Sequence, residues 1–170
     1  MLEEHIEEID WDGNVLAVWP RSELKKRLFP HNVSLIIPSE NGKLLLAKRS
    51  ANKHPFPGVW CCAVGGKALA GETPESCAYR EMHEEIGTTV PLRHVVTANH
   101  KGPATYERLH IYTTAENLSA DNIKIDPAEI EYLRHFALDE LQTLVQKQPD
   151  SFAPAFLTAL RAYVAAEYLK

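Results

Sequence analysis

One stretch, Gly66 to Thr88 (GKALAGETPESCAYREMHEEIGT), constrains this chain more than any other. Thr73 offers an N-cap oxygen, Pro74 suits the first helical position, and Gly87 stands where a left-handed residue ends a helix. Residues 73–86 are therefore expected to be helical. With 3.6 residues per turn, Ala78, Tyr79, Met82 and Ile86 gather on one side of that helix. Glu81, Glu84 and Glu85 crowd another. Carboxylates so close repel by a few tenths of a kcal/mol per exposed pair, and a helix selected for stability alone would interleave lysines. A solvated acidic face is the ordinary reading of such a cluster. A hard dication held among the oxygens is the reading that gives it a purpose.

The rest of the chain alternates short strands with helices, which predicts an α/β fold with a sheet between helical layers. Residues 5–10 and 14–19 read as strands around the turn Asp12-Gly13-Asn14, and residues 21–28 as a brief helix stopped before Pro30. Residues 33–37 and 44–48 are apolar strands joined by a turn at residues 39–42. Residues 59–64 form another strand, which the pair Gly65-Gly66 follows. Residues 92–98, 107–114 and 132–136 complete the strands. Residues 138–146 and 154–169 close the chain as helices, the last with Leu157, Leu160, Val164 and Tyr168 at helical spacing. No linker or repeat divides the 170 residues, so a single domain over 1–170 is expected.

Charge and cysteine usage remove several function classes. A net charge of -5 supplies no basic footprint for a nucleic-acid backbone. The acidic opening MLEEHIEEID differs from the basic start of a signal peptide, and no apolar run is long enough to span a bilayer. The three cysteines, two of them adjacent at Cys61 and Cys62, make a poor disulfide framework. A cytoplasmic protein with reduced thiols is the expectation. The N-terminal strands are expected either to pair with a second subunit, giving a homodimer, or to cap the chain's own sheet.

The Gly66–Thr88 segment resembles the signature of the Nudix hydrolases at Gly66, Glu72, Arg80, Glu81, Glu84, Glu85 and Gly87. Thr88 departs from it, standing where an aliphatic residue is usual. The resemblance implies a Nudix-type α-β-α sandwich with a mixed central β-sheet. It also implies a hydrolase acting on phosphorus-containing acid anhydrides, with Mg2+ as cofactor and Mn2+ as a substitute. The substrate would be a small-molecule diphosphate, by default a nucleoside diphosphate linked to another moiety. Glu81, Glu84 and Glu85, with Gly66, would form the metal set, and Glu85 would be the least dispensable. Arg80 would orient a carboxylate by a charge-assisted bond, with Glu72 in support.

The frame around the signature, including AKRSANKHPFPGVW, is similar to the subgroup containing isopentenyl-diphosphate isomerases. That pattern places a catalytic cysteine and a metal-binding histidine where this chain has Gly65 and Lys67. Cys61 and Cys62 lie too early in sequence to stand in without a register shift, and only His31 matches a metal-ligand histidine. Isomerisation is therefore the alternative rather than the expectation. A diphosphate-binding module without turnover is a third reading, and the intact ligand set argues against it.

Arg49 and Lys53 match basic positions that isomerase relatives place on the diphosphate, and Lys67 is grouped with them as substrate-facing; Lys48 is a further cation of that strand end. Glu107 and Glu129 are candidates for an additional carboxylate. Trp60 is assigned to core packing before pocket lining, with Tyr106 and Phe136 weaker pocket candidates. His100 and His110 are acid–base candidates that the sequence does not place. Cys77 is expected to pack. Specificity is expected from loops at residues 50–58, 99–106 and 115–128.

Overall fold

The computed structural model describes residues 2–169. An N-terminal arm pairs β1 (His5–Ile9) with β2 (Val15–Pro20), turned at Gly13 with φ +95°. A 3-10 turn over Arg21–Lys25 follows, shorter than the helix expected there. The body then runs β3 (His31–Ile36), β4 (Ser39–Glu40), β5 (Lys43–Arg49), β6 (Trp60–Cys62) and β7 (Val64–Lys67). After α1 (Pro74–Ile86) come β8 (Leu92–Lys101), β9 (Tyr106–Thr114), β10 (Ile130–Ala137), α2 (Leu138–Lys147) and α3 (Pro154–Tyr168).

The mixed sheet has the order β7-β3-β9-β8, with β3 and β9 parallel and the remaining pairs antiparallel. Beside it lies an antiparallel sheet in which β10 takes one edge of β5 and β4 and β6 take the other. Successive side chains of a strand face opposite ways, and the apolar runs exploit this. Leu35, Leu44 and Leu46 pack with Phe136, Leu141, Phe156 and Tyr163 under α2 and α3. Their neighbours Ile36, Leu45 and Ala47 pack with Ala78, Met82 and Ile86 of α1. Helices thus cover both sides of the strands, the expected α-β-α arrangement. Each fully buried Leu, Ile or Met contributes about 1.5–3 kcal/mol to holding α1 in place.

Three expectations change. The strand expected at residues 59–64 is two strands in different sheets, with the chain switching sheets at Ala63. The glycine pair does not follow a strand but lies inside β7, paired with Ser34 and Leu35 of β3. The loop expected at 99–106 narrows to residues 102–105, because β8 and β9 extend into it. No helix among the described residues is long and apolar enough to cross a membrane.

Candidate active site

The site begins with how α1 is anchored. Thr73 Oγ1 accepts the Ser76 amide at 3.1 Å, and Gly87, at φ +71°, donates its amide to His83 O. Ser34 Oγ donates to Pro74 O at 2.6 Å, and Cys77 Sγ reaches Gly66 O, so the helix lies against β3 and β7. Gly66 is required by this approach: a Cβ there would stand 2.1 Å from Glu81 Cδ. The glycine lets the Glu81 carboxylate lie directly over the strand. Cys77 packs as expected, its thiol pushed up to about 11 by burial.

Arg80 organises the acidic residues. Its Nε and Nη2 donate to the two oxygens of Glu72 at 2.7 and 2.9 Å, and Nη1 donates to Glu81 at 2.7 Å and Glu84 at 3.4 Å. Nη2 also donates to Lys67 O at 3.1 Å, tying the helix to β7. Burial works against a charged Glu72, but Arg80 and the Leu69 amide outweigh it and hold the carboxyl below its usual range. A cation is therefore interleaved among the glutamates after all, and their expected mutual repulsion is partly offset.

Glu85 is different. It is 8% exposed, and its Oε2 accepts only the Gly65 amide, at 3.1 Å. Burial first, then the charge of Glu81, raise its carboxyl well above the ordinary range. Glu81 is also raised, by burial that Arg80 does not fully counter. Both face a cavity of about 390 Å³ that Glu84 also lines. A buried and a half-buried carboxylate with too little positive charge around them suit a hard dication. Among the described residues the acidic groups do not converge into a ligand cage, since Glu81 and Glu84 are engaged by Arg80.

The remaining candidates divide by position. Arg49, Lys53, Lys67, Glu107 and Glu129 all reach the same cavity. Lys53 is ion-paired with Glu129. Arg49 donates to Phe56 O and Pro55 O, holding the 50–58 loop at the cavity mouth. Lys67 is held below its ordinary range by burial, with Glu107 opposing that shift. Glu107 is buried, with Oε1 4.0 Å from His31 Nε2. His31 is itself 1% exposed and held at about 4 by burial and Lys67, so it is neutral near pH 7, and Nε2 has no hydrogen-bond partner.

Trp60 and Phe136 are core, edge-to-face at 4.9 Å, with Lys48 over the Trp60 ring. His100 bonds Thr158 and His110 bonds Asn32, and neither lines the cavity. The 115–128 loop does not reach it either.

Sequence reasoning passed over several wall residues, Glu4 and Arg21 near the N-terminal arm and Phe156 at the start of α3, whereas Thr105 belongs to the expected 99–106 loop. They carry no motif and arrive by folding alone. It also treated Cys62 as too distant. The sheet switch at Ala63 turns the chain back, and Cys62 Sγ lies 3.0 Å from where a Cβ on Gly65 would stand.

A loop, helix and glycine-containing strand that hold buried carboxylates over a cavity match the NUDIX domain model across residues 28–156. The chain belongs to the Nudix family. It is 33% identical to the prenyl-diphosphate phosphatase of Methanosarcina mazei, over 88% of this chain and 89% of that one. It is 32% identical to the isopentenyl-diphosphate Delta-isomerase of Streptomyces griseus, over 76% of this chain and 66% of that one. In fold it resembles DR0079 of Deinococcus radiodurans, with a TM-score of 0.74, 19% identity, and coverage of 94% of this chain and 99% of that one. This Nudix domain is a hydrolase of diphosphate compounds, with the isomerases as relatives of the same fold.

Proposed function

We propose that the chain is a magnesium-dependent hydrolase that cleaves a phosphoanhydride bond of a non-nucleotide diphosphate. The observation that carries this reading is the cavity itself, where under-compensated Glu81 and Glu85 face Arg49, Lys53 and Lys67. Glu81, Glu84 and Glu85, with Gly66, would hold the metal. When bound, Mg2+ supplies Lewis acidity and lowers the pKa of a coordinated water, and Mn2+ supplies the same chemistry.

The chain's own residues bind and orient. Lys67 and Arg49 offer positive charge to the phosphate oxygens, and Lys53 does so when it leaves Glu129. Arg80 and Glu72 hold Glu81 and β7 in register. Water adds to a phosphorus of the diphosphate and the anhydride P–O bond breaks. Glu107 is the better placed of the two extra carboxylates to accept the water's proton, because Glu129 is paired. The names of the two curated relatives support an isoprenoid diphosphate over a nucleotide. The proximity of Cys62 to Gly65 favours isomerisation, but the neighbouring Cys61 thiol and burial raise Cys62 well above the ordinary thiol range, against it.

The test is phosphate release from nucleotide and isoprenoid diphosphates with Mg2+ or Mn2+, with isomerised product sought in parallel. Metal-dependent phosphate from an isoprenoid member is expected. Tight binding without any product would support a binding module, and isomer without phosphate would support the isomerase.

The reading takes residues 1–170 as one catalytic domain in a reducing, cytoplasmic setting, which the free thiols of Cys61, Cys62 and Cys77 support. No nucleic acid or membrane partner is proposed. The arm supports a homodimer. β1 caps the chain's own body, with Ile6 and Ile9 buried and Ile9 N bonded to Pro30 O. β2 presents Val15, Leu16 and Val18 half or more exposed on an uncharged outer strand, which can pair with its own copy without like charges meeting. Sedimentation should give a dimer that Leu16→Lys with Val18→Lys converts to a monomer. A monomeric parent would overturn the pairing.

A further inference from the structure

We infer that the group carried by the diphosphate lies in a second chamber beside the first, and that it is a hydrocarbon chain whose length is set by Leu24, Leu28 and Tyr106. The inference rests on the hydrolase reading and adds where the rest of the substrate goes. The second chamber measures about 560 Å³ against about 390 Å³ for the first. The two meet along a common wall that includes Lys67, His54 and Thr105. Lys67 thus stands at the junction, where a diphosphate would pass into whatever it carries.

Volume favours this division of labour. A diphosphate with its metal-bound waters, each claiming about 30 Å³ of liquid volume, occupies much of the first chamber. A long substituent needs other space, and a pocket of about 300–1,000 Å³ suits one. The chemistry of the second chamber's walls says what kind. Leu24 projects from the 3-10 turn, Leu28 is 37% exposed, and Pro55, Ala104 and Tyr106 complete an apolar surface.

Several polar groups around this surface are already engaged, although His31 Nε2 keeps no partner. Arg21 is paired with Glu4, the Ser22 amide donates to Glu3, and His31 Nδ1 is bonded to Phe29 O. A nucleobase placed there would meet more apolar than polar wall, which matches its donors and acceptors poorly. Tyr106 is fixed in turn by Trp11, at 6.0 Å between rings, and by Lys101 over its face. The arm therefore builds a wall of the chamber, which gives residues outside the catalytic signature a part in specificity.

The experiment compares dimethylallyl, geranyl and farnesyl diphosphates on the parent, Leu24→Trp and Leu28→Asp. Leu28→Asp changes a surface-accessible residue and so tests the chamber even if the bulkier variant folds poorly. In both variants KM for farnesyl diphosphate should rise about tenfold or more, as loss of several apolar contacts predicts, with kcat nearly unchanged. Dimethylallyl diphosphate should be little affected. Equal effects on short and long chains, or no effect on either, would overturn the inference while leaving hydrolysis intact.

Calorimetry on Glu85→Gln separates the two readings. Farnesyl diphosphate should bind this variant at least tenfold more tightly than inorganic diphosphate, with a more negative heat-capacity change that Leu28→Asp reduces. If the parent turns over no isoprenoid diphosphate, the isoprenoid reading of the hydrolase fails, and this binding comparison alone decides the chamber. Equal affinity for the two ligands would refute it.

Discussion

Glu85→Gln should lower metal-dependent turnover by roughly 10²–10⁴-fold while leaving the metal-free protein at least as stable as the parent near pH 7. Both effects have one cause. The Glu85 carboxyl is buried, accepts a single backbone amide, and feels Glu81 through the cavity. Without a dication its ionised form is disfavoured by the fold. Gln keeps the shape and the bond from Gly65 but removes the charge that a metal needs.

The sign of the pH dependence follows. A carboxyl whose folded pKa lies above its unfolded value of about 4.3 stabilises the fold below that value. That stabilisation is lost as pH rises through the raised folded pKa. Metal-free parent should therefore melt lower at pH 7–8 than Glu85→Gln, and the gap should close on acidification toward pH 4. Each kcal/mol of difference moves Tm by about 2–4 °C in a chain of this size. Mg2+ should raise the parent's Tm and move the variant's little. Thermal melts across pH with and without Mg2+ check all of this. A variant that melts well below the metal-free parent at pH 8 would show that Glu85 is structural.

Arg80→Ala should do the opposite, costing both stability and activity. Arg80 satisfies Glu72 through two parallel bonds, reaches Glu81 and Glu84, and holds the Lys67 carbonyl. Removing it strands two largely buried carboxylates, a loss of about 3 kcal/mol after allowing for partial exposure. That corresponds to about 6–12 °C in Tm. Arg80→Lys should recover only part, because an ammonium lacks the planar fork that meets Glu72 on two atoms and Glu81 on a third. Denaturant unfolding measured alongside turnover separates the two contributions. An alanine variant as stable as the parent would show the network to be energetically neutral.

Much of the catalytic segment was legible in the residues. Thr73, Pro74 and Gly87 act through neighbours a few positions away, so the limits of α1 could be read locally, and they agree with the structure. The apolar runs at 33–37 and 44–48 are strands for the same reason. Less was legible where two meanings share one signal. Gly65-Gly66 reads as following a strand, yet it lies inside one, where Gly66 leaves room for the Glu81 carboxylate. The three glutamates look alike along the helix, but burial separates them: Glu84 is exposed, Glu81 is paired with Arg80, and Glu85 is buried with too little compensation.

The sequence by itself determined the signature helix, its caps, the identity of its acidic set and the family the chain belongs to, because short-range spacing and residue chemistry carry that information. Only the tertiary structure decided which carboxylate of that set is most deeply buried, and which cations line the cavity. It also brought His31, Lys67 and Glu107 to one corner, although they lie on three different strands. The second chamber belongs to this class as well. Its walls come from the turn at Arg21–Lys25, the loop around Pro55 and the start of β9, segments that meet only when the strands pair. Contacts between residues far apart in sequence leave no periodicity to read, since what selects them is the packing of the whole chain.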